Sequence, residues 1–173
     1  MRPVFEWQIG SRSLQLGKRT LIIGVVNVTP DSFSDGARYL DKDKAVEHAL
    51  RLIEEGADII DIGGVSTRPG SKVASQEGAV NESEELRRVI PVIEAVRRLR
   101  PAVSISVDTY RAGVVQSAVK AGADIVNDVS GFQWDKRFLQ RSKHASANLF
   151  GRSAASRSGS HLAIWTLSCW RGA

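Results

Sequence analysis

Asn27, Thr67 and Arg68 are the first residues whose types suggest chemistry. A neutral amide oxygen such as that of Asn27 suits Mg²⁺, which keeps most of its waters and also binds substrate phosphates. A Thr hydroxyl beside a guanidinium, on a loop with glycines at 63, 64 and 70, suits a phosphate or pyrophosphate. Taken singly, each has a blander reading: Asn27 tolerates a turn and Arg68 is a solvated loop charge. Asp108 and Asn127 form a second group. A carboxylate and an amide on neighbouring strand ends can read a flat heterocycle with several N–H donors and acceptors, or can simply satisfy loop backbone. Asp61 faces the same choice and reads as structural. His48 falls on the polar side of a helix, and His144 and His161 lack ligand-like spacing. No Ser–His–Asp or His–Cys arrangement supports nucleophilic catalysis, and the GxGxxG dinucleotide fingerprint is absent.

These residues need strands that end in loops, and the sequence supplies them. Leu21 to Val26 is an unbroken apolar run, expected to be a parallel strand buried on both faces, and it opens at Asn27 into the polar stretch reaching Gly36. Further strands are expected at 58–62, 103–107 and 125–126, ending in polar residues at Asp61, Asp108 and Asn127. Between them fall helices at 43–55, 81–99 and 111–121. Asp41 or Asp43 caps the first, Asn81 caps the second with Glu84 as capping-box partner, and Gly56 and Gly122 end the first and third. Pro91 interrupts the second helix. Residues 71–80 extend the second polar loop and are expected to be mobile.

Gly56-Ala57-Asp58-Ile59-Ile60-Asp61 and Gly122-Ala123-Asp124-Ile125-Val126-Asn127 repeat one pattern, as stacked βα units do. The alternation implies a parallel sheet with right-handed crossovers. Polar termini on all four strands favour a (β/α)8 barrel rim over the single switch point of a doubly wound sheet, which spacing alone leaves open. Residues 5–20 read as a hairpin covering the closed end of this sheet.

Composition sets the remaining bounds. At 42% hydrophobic and 25% charged residues the chain is globular. No apolar run approaches the roughly 20 residues of a membrane span, so a cytoplasmic protein without membrane partners is expected. The single cysteine, Cys169, leaves no intrachain disulfide or Cys-based metal site. The net charge of +5 resides in residues 141–173, because residues 1–140 hold 19 basic and 19 acidic residues. The basic balance therefore gives no argument for nucleic-acid binding by the body.

Together these residues resemble the dihydropteroate synthase family. The carriers are Asn27-Val28-Thr29-Pro30-Asp31-Ser32-Phe33-Ser34-Asp35-Gly36, Asp61-Ile62-Gly63-Gly64-Val65-Ser66-Thr67-Arg68-Pro69-Gly70, Ile105-Ser106-Val107-Asp108-Thr109-Tyr110 and Asp124-Ile125-Val126-Asn127-Asp128-Val129. The resemblance covers about residues 5–139. It implies a (β/α)8 TIM-type barrel that joins dihydropterin pyrophosphate to 4-aminobenzoate, releasing pyrophosphate and making dihydropteroate for folate synthesis. Asn27 would bind Mg²⁺, Thr67 and Arg68 the pyrophosphate, and Asp108 and Asn127 the pterin ring. Pro30, Phe33 and Pro69 would lie on loops enclosing aminobenzoate, and full-length relatives would be homodimeric. A methyltetrahydrofolate-type methyltransferase shares the Asp/Asn grip without needing Thr67-Arg68. A non-catalytic remnant docking on a partner is the non-enzymatic alternative.

Two departures stand out. The second signature usually carries Glu where this chain has Val65. After Arg141 the expected later elements, a further pterin-binding Asp, a Lys strand end and an Arg-x-His, cannot be found. The segment 141–173 has seven serines and no acid. It reads as an unrelated, disordered or out-of-frame tail beside a pterin-binding part at 1–140. The expectation is a barrel truncated to about its first four βα units, with little or no synthase activity.

Overall fold

Short apolar segments, joined by amphipathic helices, build one sheet with its helices against it. The computed structural model describes residues 4–9, 12–28, 38–65, 80–128, 135, 148–152 and 165–167. Strands β1 (Phe5–Ile9) and β2 (Arg12–Leu16) form an antiparallel hairpin in which Trp7 faces Leu14. Strands β3 (Ile23–Asn27), β4 (Ile59–Gly63), β5 (Ser104–Asp108), β6 (Ile125–Asp128) and β7 (Asn148–Arg152) lie side by side in chain order, all parallel. β8 (Trp165–Leu167) adds antiparallel to β7. Helices α1 (Arg38–Glu54), α2 (Glu82–Leu99) and α3 (Ala112–Ala121) join β3 to β4, β4 to β5 and β5 to β6.

This order decides between the two α/β architectures. A doubly wound sheet reverses at a switch point and carries helices on both faces. Here the order runs unbroken and the helices share one face. Val26, Ile60, Ile62, Ile105, Val107 and Val126 point into a single core with Ala49 of α1, Val89, Val92 and Val96 of α2, and Val115 of α3. Each fully buried Val or Ile in that layer contributes about 1.5–3 kcal/mol. The fold is α/β of the (β/α)8 barrel type, represented by its first units.

The opposite face carries the residues one position on. Trp7 and Ile9 of the hairpin pack there against Ile59 and Ile125, which begin β4 and β6, with Leu14 and Leu16 beside them. The hairpin therefore covers the amino-terminal end of the sheet, leaving the carboxyl end for the site. The repeated Gly-Ala-Asp segment gives the amino-terminal end a common fastening. Asp58 Oδ2 accepts from Ile22 N at 2.9 Å, and Asp124 Oδ2 accepts from Ile105 N at 2.9 Å. Each Asp pins the start of the preceding strand and is held by an arginine, Arg19 or Arg97. The Arg19 guanidinium, together with the Ile22 amide, keeps Asp58 below the usual carboxylate range although its partial burial acts the other way.

Four expectations are corrected. The first strand is not buried on both faces: Val26 is 1% exposed, but Ile23 and Val25 are 42% and 52% exposed. It is the edge of the sheet, and α1 covers only one of its sides. The first helix begins at Arg38, so Asp41 and Asp43 lie within it and do not cap it. The capping box is one-sided. Asn81 Oδ1 accepts from Glu84 N at 2.8 Å, while the Glu84 carboxylate turns to Arg87 and Arg88. Finally, part of the segment read as an unrelated, disordered or out-of-frame tail forms β7, paired with β6, and β8, paired with β7.

Candidate functional site

Parallel register turns four strand ends into one row. Asn27 lies opposite Gly63, Gly63 opposite Asp108, and Asp108 opposite Asn127. Residues in register on parallel strands share a face, so all four point away from the helices. The row beneath is Val25, Asp61, Ser106 and Ile125. Glycine at 63 gives the row its shape. A Cβ there would stand 3.3 Å from Asp108 Cβ and 3.5 Å from its Oδ2, so the Asp108 carboxylate occupies the space a side chain would take.

Below this rim lies a cavity of about 350 Å³. Ile23, Val25, Ile59 and Ile125 supply its apolar walls and Trp7 its base, and Asp61, Ser106 and Asn127 are its polar groups. An apolar slot with a few convergent polar atoms suits a flat, mostly aromatic ligand. Asn127, 9% exposed, donates from Nδ2 to Asp61 Oδ2 at 3.0 Å. The bond passes from β6 to β4 across β5, over the small side chain of Ser106. Asn127 Oδ1 and Asp61 Oδ1 are buried without a hydrogen-bond partner.

The electrostatics are those of carboxylates crowded in a poorly solvated place. Burial pushes the Asp108 carboxyl up to about 7, and Asp61, Glu85 and Asp128 add like-charge repulsion. Burial also raises Asp61, against the opposing pull of the Ser106 hydroxyl and the Asn127 amide. An acid near neutrality at the rim can give or take a proton at a ligand's ring nitrogens.

Asn27, Asp108 and Asn127 are thus brought together. Asp61, read from sequence as structural, lies inside the same cavity. Thr67, Arg68, Pro30, Phe33 and Pro69 fall outside the described residues. His48 lies on α1, where its Nδ1 is 3.0 Å from Arg51 Nη2, and takes no part in the row. Among the described residues no cluster of three or more His, Cys, Asp or Glu could hold a metal. A cation here would take a neutral amide oxygen from Asn27, which is exposed at the rim, and draw its other ligands from water and substrate.

Sequence reasoning missed one pair. Glu85 on α2 is completely buried and forms an ion pair with Arg111, whose Nη2 also donates to Val80 O at 2.6 Å. The Arg111 guanidinium stands 4.6 Å over the Tyr110 ring. The pair joins α2, Val80 two residues before it and the turn that follows Asp108. A signal was present: Glu85 takes the place of an apolar residue in the stripe Val89, Val92, Val96.

The sequence profile of the pterin binding enzyme family matches residues 23–151. The dihydropteroate synthase of Clostridium beijerinckii is 47% identical over 129 residues, 75% of this chain and 45% of that protein. That of Bacillus subtilis is 52% identical over 125 residues, 72% of this chain and 41% of that protein. The Xanthomonas albilineans dihydropteroate synthase solved with 4-aminobenzoic acid superposes with a TM-score of 0.73 at 44% identity, covering 86% of this chain and 50% of that one. The same enzyme in complex with 7,8-dihydropteroate gives a TM-score of 0.68 at 41% identity. The chain spans less than half the length of these curated relatives. With the barrel-type winding, the strand-end row and a profile match across both, this chain belongs to the pterin-binding enzyme family.

Proposed function

We propose that this chain carries the ring- and pyrophosphate-holding half of a dihydropteroate synthase. The reaction joins the methylene of a dihydropterin pyrophosphate to the amine of 4-aminobenzoate. The methylene C–O bond breaks, its electron pair leaves with pyrophosphate, a C–N bond forms, and the amine loses a proton. The cation left on the methylene is stabilised by the electron-rich ring, so the protein's work is to orient the ring and to hold the leaving group. No protein nucleophile is required.

The observation that supports this best is the Asp108–Asn127 pair, in register at the mouth of an apolar cavity and backed by Asp61. Asp108 and Asn127 would bind the ring edge, Thr67 and Arg68 the pyrophosphate, and Pro30, Phe33 and Pro69 would flank the aminobenzoate. Asn27 would hold Mg²⁺, which supplies positive charge at the leaving pyrophosphate. The methyltetrahydrofolate methyltransferase reading is set aside, because the relatives matched are synthases and Thr67-Arg68 has no role in it. No described helix is long and apolar enough to cross a membrane, in keeping with a cytoplasmic enzyme acting on small molecules.

The 173 residues supply the strand ends of four βα units, so we expect ring binding with little or no turnover. The test is fluorescence titration of the purified chain with pterin, alongside an assay for dihydropteroate. Saturable binding, weakened at least about tenfold in Asn127→Ala and Asp108→Ala, supports the assignment. A folded chain that leaves pterin fluorescence unchanged overturns it, and measurable dihydropteroate formation overturns the expected inactivity.

A further inference from the structure

The geometry points to Asp61 as a positioning residue that fixes which way the Asn127 amide faces, and so which hydrogen-bonding pattern the cavity accepts. This rests on the pterin-site reading above. An asparagine at a strand end can present either its carbonyl or its NH₂ to a ligand, and the two choices recognise opposite ring edges. Here the choice is made by a residue two strands away. Asp61 Oδ2 receives Asn127 Nδ2 at 3.0 Å, and both groups are buried. The amide nitrogen is therefore committed downward. Asn127 Oδ1 is buried without a partner, in a cavity that the side chain itself lines.

The arrangement holds in either protonation state of Asp61. An ionised carboxylate only accepts, and a neutral one with its proton on the unpartnered Oδ1 still accepts at Oδ2. A buried carbonyl with no partner is costly until a ligand donor satisfies it. The site therefore selects a ring edge that carries an exocyclic amino group at that place, and rejects one that offers a carbonyl oxygen there. Ser106, between the two strands, is small enough to let the bond pass; its hydroxyl also faces Asp61.

The test compares pterin, with an amino group at position 2, with lumazine, which has an oxo group there and carries a proton on N1. The intact chain is expected to favour pterin by about tenfold or more, the worth of one hydrogen bond to a committed acceptor. Asp61→Asn is nearly isosteric but can donate to Asn127 Oδ1 and turn the amide over. It should bring the two affinities within about threefold of each other. A purely structural Asp61 would instead weaken both rings equally, and an unchanged pterin-to-lumazine ratio in a folded Asp61→Asn chain overturns the proposal. Neither ring binding to the folded wild-type chain sinks the pterin reading itself. A ligand-free measurement covers that case. The Asn127 side-chain NH₂ protons, followed by NMR, should be protected from solvent exchange in the wild type and lose protection in Asp61→Ala. Equal protection in both chains also overturns the role given to Asp61.

Discussion

Arg97 on α2 and Asp124 at the entrance to β6 are joined at 2.6 Å from Nη2 to Oδ2, and the same guanidinium closes the turn between α3 and β6. It donates to Gly122 O through Nε and Nη2, and to Val103 O and Pro101 O through Nη1. Gly122 has φ +111°, and a Cβ there would stand 2.9 Å from Arg97 Cγ, so glycine is required twice over. Arg97→Ala should cost about 2–3 kcal/mol in urea unfolding, since it leaves several partly buried acceptors without their donor. Arg97→Lys should recover less than half of that, because an ammonium cannot fork to this many acceptors.

The fastening shows what the sequence made legible. The repeat of Gly-Ala-Asp was visible, and so were the strands and their polar ends, because apolar runs stop at Asn27, Asp61, Asp108 and Asn127. What was hidden was register. That Asn27, Gly63, Asp108 and Asn127 form one row while Asp61 lies a row below follows from strand pairing, which single-strand patterns do not carry. The start of α1 was missed because Asp41 and Asp43 look like caps, although Tyr39 and Leu40 already belong to the helix. The roles given to Thr67 and Arg68 rested on residue type and motif resemblance, since a loop has no periodicity to read.

The buried Glu85–Arg111 pair should be asymmetric to mutation. Arg111→Ala leaves a completely buried carboxylate without its cation and should destabilise the chain by about 3–5 kcal/mol. The double change Glu85→Leu with Arg111→Met should cost much less, since it removes both charges and keeps the volume. Thermal melts of the two chains decide it; equal losses would show that the ion pair is not the source of the effect.

Asp108 makes stability fall as pH rises. Its folded pKa, about 7, lies above the ordinary carboxylate value of 3.8, so between those values the native state holds a proton that the unfolded state has lost. The stability that this proton confers is complete below about pH 4 and is lost by about pH 7. The swing is at most about 4 kcal/mol, counting 1.36 kcal/mol per unit. Asp108→Asn should reduce the fall and stabilise the chain at pH 8, while the contribution of Asp61, also raised by burial, persists. Urea unfolding at pH 5 and pH 8 on both chains measures this, and an unchanged pH slope in Asp108→Asn would contradict the raised pKa.

Gly63→Ala separates site from scaffold. The added methyl would press on Asp108 at 3.3 Å from its Cβ, and nothing else stands as close. The backbone can tolerate alanine, so the cost in stability should stay near 1 kcal/mol, while the carboxylate is pushed out of the row. Pterin affinity should fall about tenfold by fluorescence titration, a loss larger than the change in stability explains.

The face of β3 turned away from α1 determines how the purified chain behaves in solution. Ile23 and Val25 are 42% and 52% exposed on an edge strand, and Ile22, Val4 and Phe5 are also more than half exposed nearby in sequence or on the hairpin. An exposed apolar edge with unpaired backbone groups invites self-association. Size-exclusion chromatography over a range of concentrations should show species larger than the 18.8 kDa monomer. Val25→Lys should shift the chain toward the monomer without a large loss of stability, because a solvated charge on an edge strand blocks further pairing while Gly24 and Val26 keep their contacts with the helices. A wild-type chain that stays monomeric at high concentration would mean that this face is not adhesive, whatever its exposure.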